Sequence, residues 1–279
     1  MRLGGGTCNP HSNPSEWLSQ VKELGYSAVI FPLSSASPKE KIDEYLSCIR
    51  DAGLLIGEVG VWKNVMSPNA YERQQALDFA KRQLELAEYV GARCCVNIAG
   101  STGSRWDGYD PCQGTQEYYD RVVETTQAII DSVQPEHTAY SLEPMPWMAP
   151  ESPEQYLQLI RDIDRTGFKA HLDYCNMINS LERYRASSAF IDHCFDVLGE
   201  HIVSIHAKDA YLIDSKLPLS ITEIQPGEGS VDLGLVMKRA HALGEDTPVF
   251  IEHLPNHDTY LAAARTMRAL AQEAGVPVK

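Results

Sequence analysis

The chain has 279 residues, 43% hydrophobic and 22% charged, a size and balance that suit one large α/β domain or two small ones. Its formal net charge of -14 argues against nucleic-acid binding, because counterion release needs a dense basic face and none is visible. Seven cysteines, odd in number and without a Cys-x-x-Cys pair, argue against a disulfide framework or a zinc ribbon and point to a reducing compartment.

The opening residues Met1–Gly6 contain no apolar signal core, and no segment approaches membrane-spanning length. The expectation is a soluble, cytoplasmic protein with no membrane partner. From there, short apolar runs alternate with amphipathic helical patterns. The strand-like runs are Met1–Thr7, Ser27–Leu33, Leu54–Val61, Arg93–Ala99, Ala139–Met145, Lys169–Tyr174, Ile202–Ala207 and Pro248–His253, eight in all. Helical patterns fill the gaps at Pro14–Leu24, Pro38–Ala52, Pro68–Val90, Thr115–Val133, Ser152–Arg165, Leu181–Leu198, Val231–Leu243 and His257–Ala274. Pro near several starts and Gly just past several ends is the usual helix asymmetry.

Eight β/α alternations predict a parallel sheet, and the length fits a single (β/α)₈ TIM-barrel domain over residues 1–279. A doubly wound open sheet is the competitor. It usually carries a Gly-rich phosphate turn after the first strand, whereas Gly4, Gly5 and Gly6 lie within the first strand-like run and do not open a helix.

In a barrel the chemistry gathers at the C-terminal ends of the strands. Strand five there delivers Glu143, strand six Asp173, strand seven His206 and strand eight Glu252. Carboxylates this deep are rarely tolerated without a partner. One divalent cation held by three oxygens and one nitrogen would compensate them, and this donor set suits Mn²⁺ best, with Mg²⁺ or Co²⁺ as alternatives. The plainer reading is a set of ion pairs at the rim with Lys208, Arg93 or one another.

With these residues in hand, the chain resembles the xylose isomerase-like TIM barrels, the sugar phosphate isomerase/epimerase superfamily that includes the ketose 3-epimerases. The resemblance spans the whole chain. It rests on Glu143, Asp173, the element His206-Ala207-Lys208-Asp209, the loop Pro226-Gly227-Glu228-Gly229-Ser230-Val231-Asp232, and Ile251-Glu252-His253-Leu254. It implies that Glu143, Asp173, His206 and Glu252 bind one metal, and that Glu143 and Glu252 face each other across the substrate as acid and base. The physical logic stands independently: a metal chelating a carbonyl and a neighbouring hydroxyl stabilises the enediolate left when the α-proton departs. Return of the proton to the opposite face is epimerisation, and its return to the adjacent carbon is isomerisation.

Two departures point away from a free ketohexose 3-epimerase. Those enzymes carry a His where this chain has Asn176, and an Arg where it has Leu212. The pattern is also similar to the larger subunit of enzymes that cleave C-glycosides through 3-keto-glycosides by β-elimination, which pair with a small second subunit. That lyase is the alternative reading. A homo-oligomer is the other partner expectation. An endonuclease IV-like nuclease fits less well, needing more metals, His and basic groups, and a barrel that binds sugar without turnover would be expected to lack a ligand. Around the metal set, Asn176 and Lys208 are expected to donate to substrate oxygens. Trp147, Met145, Trp62 and Trp106 are candidate walls for a sugar face, His11 a candidate at the mouth, Asn97 and Glu58 candidate substrate contacts near the ends of strands four and three, and His171 a partner one layer below the metal. Each of these also has an ordinary packing role open to it.

Overall fold

A computed structural model of the chain describes residues 1–215 and 217–279. Most of its helices begin where the sequence supplies a capping side chain, those at Lys39–Asp51 and Ser187–Leu198 excepted. Asn13, Asn69, Thr115, Ser152, Asp232 and Asn256 each accept a hydrogen bond from a backbone N–H of the first turn that follows. These caps open α1 (Pro14–Glu23), α3 (Ala70–Val90), α4 (Gln116–Val133), α5 (Pro153–Ile163), α9 (Leu233–Leu243) and α10 (His257–Glu273). The others are α2 (Lys39–Asp51), the single turn α6 (Tyr174–Met177), α7 (Leu181–Arg185) and α8 (Ser187–Leu198).

The strands are β1 (Arg2–Gly5), β2 (Ala28–Ile30), β3 (Leu55–Gly60), β4 (Cys94–Asn97), β5 (Ala139–Leu142), β6 (Ala170–Leu172), β7 (Ile202–Ala207), β8 (Asp209–Leu212), β9 (Ile221–Ile224) and β10 (Pro248–Ile251). Two parallel arcs, β1-β10-β7-β6 and β2-β3-β4-β5, make up the barrel wall. They meet at both edges. At one seam the Ser27 N–H donates to the Leu3 carbonyl at 2.9 Å; at the other, the Tyr140 N–H donates to the Gly167 carbonyl at 2.7 Å. The eight predicted strands therefore follow one another around a barrel, as a TIM barrel requires.

At the second seam a side chain does part of the ladder's work. The Tyr156 hydroxyl, carried by α5, accepts from the N–H groups of Leu142 (3.1 Å) and His171 (3.0 Å) and donates to the Leu142 carbonyl at 2.7 Å. It thus clasps β5 to β6. Below the strand ends, Phe250 fills the barrel interior, fully buried. Gly4 and Gly57 leave the space its ring occupies: a methyl on Gly57 would come within 2.5 Å of the ring.

Three local features differ from the sequence expectation. The pattern over 181–198 predicts one helix, but Ala186 leaves helical geometry and divides it into α7 and α8. The α7 piece is tied elsewhere, its Tyr184 hydroxyl accepting from the Leu212 N–H at 3.1 Å. Strand six ends at Leu172 because Asp173 caps the turn α6, accepting from the Asn176 N–H at 3.0 Å. Between Lys208 and Pro226, where the sequence pattern assigns no element, β8 and β9 pair antiparallel from Asp209–Ile224 to Leu212–Ile221.

Candidate metal centre

Glu143, Asp173 and Glu252 each directly follow the last residue of β5, β6 and β10, and His206 sits one residue before the end of β7. Parallel pairing sets their level: Phe250 is in register with His206, so Glu252 rises just above the imidazole. The four side chains offer one donor atom each, all within 4.8 Å of one another. His206 Nδ1 lies 2.9 Å from Glu252 Oε1, 3.5 Å from Glu143 Oε1 and 3.9 Å from Asp173 Oδ2. Asp173 and His206 are fully buried and Glu143 nearly so.

Lys208, one of the largest buried side chains, reaches into this group. Its Nζ lies 2.7 Å from Asp173 Oδ2, 3.5 Å from Glu143 Oε1 and 3.6 Å from Glu223 Oε2, and also pairs with Glu252 Oε1. Its backbone is held by the Tyr174 hydroxyl, which donates to the Lys208 carbonyl at 2.8 Å. The neighbouring Asp209 serves the loop instead, accepting from the N–H groups of Gly227 (3.0 Å), Gly229 (2.9 Å) and Val231 (2.9 Å).

Charge crowding governs protonation here. Burial alone would push Lys208 and His206 towards neutrality. The surrounding carboxylates, Asp173 first for Lys208 and Glu252 first for His206, outweigh it and hold both pKa values well above ordinary. Burial likewise raises the carboxyls. For Glu143 and Glu252 the nearby His206 and Lys208 prevail and lower them, whereas Asp173, buried among other carboxylates, is pushed up. The three carboxylates of Glu143, Asp173 and Glu252 lie around the ammonium of Lys208 and the imidazole of His206. Asp173 Oδ2, His206 Nδ1 and Glu252 Oε1 remain buried without a directional hydrogen bond. Oxygens and a ring nitrogen converging on one point, balanced only by ion pairs with Lys208 and one another and with negative charge in excess, fit a hard divalent cation.

Glu143, His206 and Glu252 line a cavity of about 500 Å³, while Asp173 is fully buried beside them. Asn176 lines it, and its side-chain amide donates to Glu143 Oε1 at 3.1 Å and to the Pro144 carbonyl at 3.0 Å. Trp62 also lines it, half-exposed and in a left-handed backbone conformation (φ 50°). Trp147, His11 and His171 lie elsewhere. Trp147 turns its indole N–H to the Asp107 carbonyl at 3.0 Å, and Trp106 occupies the wall instead. His11 borders an adjoining chamber of about 280 Å³, its ring 6.0 Å from that of Tyr45. His171 is fully buried below the quartet, with Nε2 3.0 Å from Glu58 Oε1.

Sequence reasoning did not single out Glu223, which reaches both Lys208 and, at 3.0 Å, His253 Nδ1. The signal was the alternation Ile221-Thr222-Glu223-Ile224, a short half-exposed strand. Gly6, Ile30, Glu58, Ile98, Asp107, Met145, His253 and Tyr260 also line the cavity.

A parallel eight-stranded barrel with an acidic, single-histidine cluster at its C-terminal rim is the architecture of a barrel with a metal-type site. The chain belongs to the xylose isomerase-like TIM barrels, whose family profile matches residues 18–270. No curated protein sequence matches it. Among solved structures it is similar to D-psicose 3-epimerase from Clostridium cellulolyticum H10 (13% identity, 99% of this chain and 100% of that one, TM-score 0.70). It is also similar to 3-keto-D-glucoside 4-epimerase from E. coli (16% identity, 96% and 99% covered, TM-score 0.68). A third similar structure is a xylose isomerase-like TIM barrel protein from Mycobacterium smegmatis in complex with magnesium (16%, 97% and 93% covered, TM-score 0.68).

Proposed function

We propose that this chain is a divalent-metal-dependent isomerase or epimerase acting on a non-phosphorylated carbohydrate or related polyol. The observation that carries the reading is the convergence of Glu143, Asp173, His206 and Glu252, with Asp173 Oδ2, His206 Nδ1 and Glu252 Oε1 making no directional hydrogen bond, beside an open cavity that Glu143, His206 and Glu252 line. When bound there, a cation such as Mn²⁺, Mg²⁺ or Co²⁺ supplies Lewis-acid charge that stabilises the enediolate formed when a carbon next to a carbonyl loses its proton. The chain's own residues do the rest. Glu143 and Glu252 reach the cavity from β5 and β10, three places apart around the wall, so a sugar lying between them meets a carboxylate on either side. One takes the α-proton on its Oε atom, and the same or the opposite Glu returns a proton. Asn176 positions Glu143 through its 3.1 Å hydrogen bond and offers a donor towards substrate oxygens. Lys208 keeps the carboxylates charged. Among the described residues none lining the cavity is an arginine, which favours a substrate without phosphate.

A second reading, a lyase opening 3-keto-glycosides by β-elimination as the larger subunit of a two-subunit enzyme, draws on one feature. The wall of Ile30, Ile98, Trp62, Trp106 and Met145 is apolar and could seat an aglycone beside the sugar.

Solvent exchange tests the shared chemistry. Mn²⁺-loaded protein is incubated with a panel of ketoses and 3-keto-glucosides in D₂O, and products are followed by mass spectrometry and NMR. Deuterium at an α-carbon supports the enolate chemistry, and its product separates epimer from eliminated aglycone. Metal bound with no exchange on any member would sink both readings.

A further inference from the structure

One layer beneath the quartet lies a polar group the proposed reaction does not use. Glu58, on β3, is fully buried, yet among the described residues it ion-pairs with no lysine or arginine. Its Oε1 accepts from the Ser204 hydroxyl and lies 3.0 Å from His171 Nε2. Its Oε2 lies 3.4 Å from His206 Nε2. His171 and Ser204 are register partners on β6 and β7, so two adjacent strands present their side chains at one level to hold this carboxylate. The His171 ring meets the His206 ring edge-on, 84° between planes and 4.1 Å between centroids, which restricts how His206 can turn.

We propose that Glu58 is the positioning residue of the metal centre. Its carboxylate accepts the Nε2–H of His206, so that when a cation displaces the proton of Nδ1, the nitrogen facing Glu143, Asp173 and Glu252, the ring is held as the Nε2–H tautomer. The inference rests on the reading of Glu143, Asp173, His206 and Glu252 as the metal-binding set, and extends it to the layer that sets the histidine's tautomer. A ligating imidazole generally donates its other N–H to such an acceptor, and losing that acceptor typically costs 10–100-fold in metal affinity. The competing idea, a second ion among Glu58, His171 and His206, would require His206 to give both ring nitrogens to metals. It would also displace the Ser204 and His171 contacts that Glu58 already makes.

The test is Mn²⁺ titration by calorimetry on the full chain and on Glu58→Gln, with long-range ¹H–¹⁵N spectra of the histidine rings in Mg²⁺-loaded protein. The expected result is one ion per wild-type chain, an affinity about 10–100-fold lower in Glu58→Gln, and a His206 signal that is Nε2-protonated in wild type and loses that pure form in the variant. A residue that only supports the fold would leave the tautomer unchanged. Glu58→Asp, which keeps the charge but draws it back, should bind Mn²⁺ with intermediate affinity, and it carries the test if Glu58→Gln does not fold. Equal affinities and an unchanged tautomer in whichever variants fold would overturn the role of Glu58 while leaving the metal set standing. Two ions in wild type and one in Glu58→Gln would overturn it by making Glu58 a ligand. A wild type that binds no Mn²⁺ would remove the metal set and this inference together.

Discussion

Lys208 places its ammonium 2.7 Å from Asp173 Oδ2, among the same oxygens that would receive a divalent cation. The side chain thereby acts as a stand-in charge for the metal-free protein. Removing it leaves several carboxylates buried with His206 alone, and breaking such a buried pair costs about 3–5 kcal/mol. Lys208→Met is therefore expected to lose about that much stability in the presence of a chelator and much less with saturating Mn²⁺. Urea unfolding in both conditions checks this, and an equal loss in both would contradict it.

Metal itself should stabilise the wild type. Binding confined to the folded state adds RT ln(1 + [L]/Kd), about 2.7 kcal/mol when the free ion is at about 100 times its Kd. The melting temperature is expected to rise with Mn²⁺ and to fall back on addition of EDTA. A melting temperature indifferent to both, across millimolar Mn²⁺, would count against the quartet as a cation site.

Glu143→Gln and Glu252→Gln remove a proton acceptor each. A positioned acid or base contributes about 10²–10⁴-fold to rate, so α-proton exchange in D₂O is expected to fall by that order in each variant. Full exchange in Glu143→Gln would take that residue out of the acid/base role.

Acid stability has a contribution far from the cavity. Arg2 Nε at 2.7 Å, and then Lys279 Nζ at 3.1 Å, hold the Asp246 carboxyl down to about 2. An unfolded aspartate titrates near about 3.9, so its folded pKa is the lower of the two. The stabilisation is fully present above about pH 4 and is lost as pH falls towards 2. Asp246 is half-exposed, so the effect is small. Asp246→Asn should be less stable than wild type at pH 5.5, with the gap narrowing by pH 2.5 in urea titrations; a constant gap would refute the assignment.

The interior packing is equally exposed to test. A methyl on Gly4 would meet the Phe250 ring and lie 2.6 Å from the Ala28 carbonyl oxygen. Overpacking of this kind costs about 1–3 kcal/mol. Gly4→Ala is expected to fall in that range, and Gly4→Ala with Phe250→Leu to recover only part, because the Ala28 oxygen is backbone and cannot withdraw.

Much of this was legible in the chain. Runs such as Ile202–Ala207 are buried, β-branched and bounded by turn residues, so strand identity and strand-end residues follow from local pattern. Glu143, Asp173, His206 and Glu252 were visible because each follows an apolar run at a place where a core has no use for charge. Glu58 was harder: it stands mid-strand between Gly57 and Val59, and only the register of β6 with β7 reveals what surrounds it. Trp147 and Trp106 could not be told apart by sequence, since which indole faces the cavity depends on the Asp107 carbonyl that captures one of them. The β8–β9 ribbon was hidden because four-residue strands of mixed exposure look like loop.

The Tyr156 clasp has a bearing on motion. Glu143 follows β5 and Asp173 follows β6, so the metal-type donors straddle a junction where a phenol carries part of the strand-to-strand hydrogen bonding. Any opening of that junction separates two donors, and a cation bridging them would draw it shut. The protein would then breathe least at this edge when loaded, and slowed hydrogen exchange at the Leu142 and His171 amides would report the ion's arrival from beneath the site.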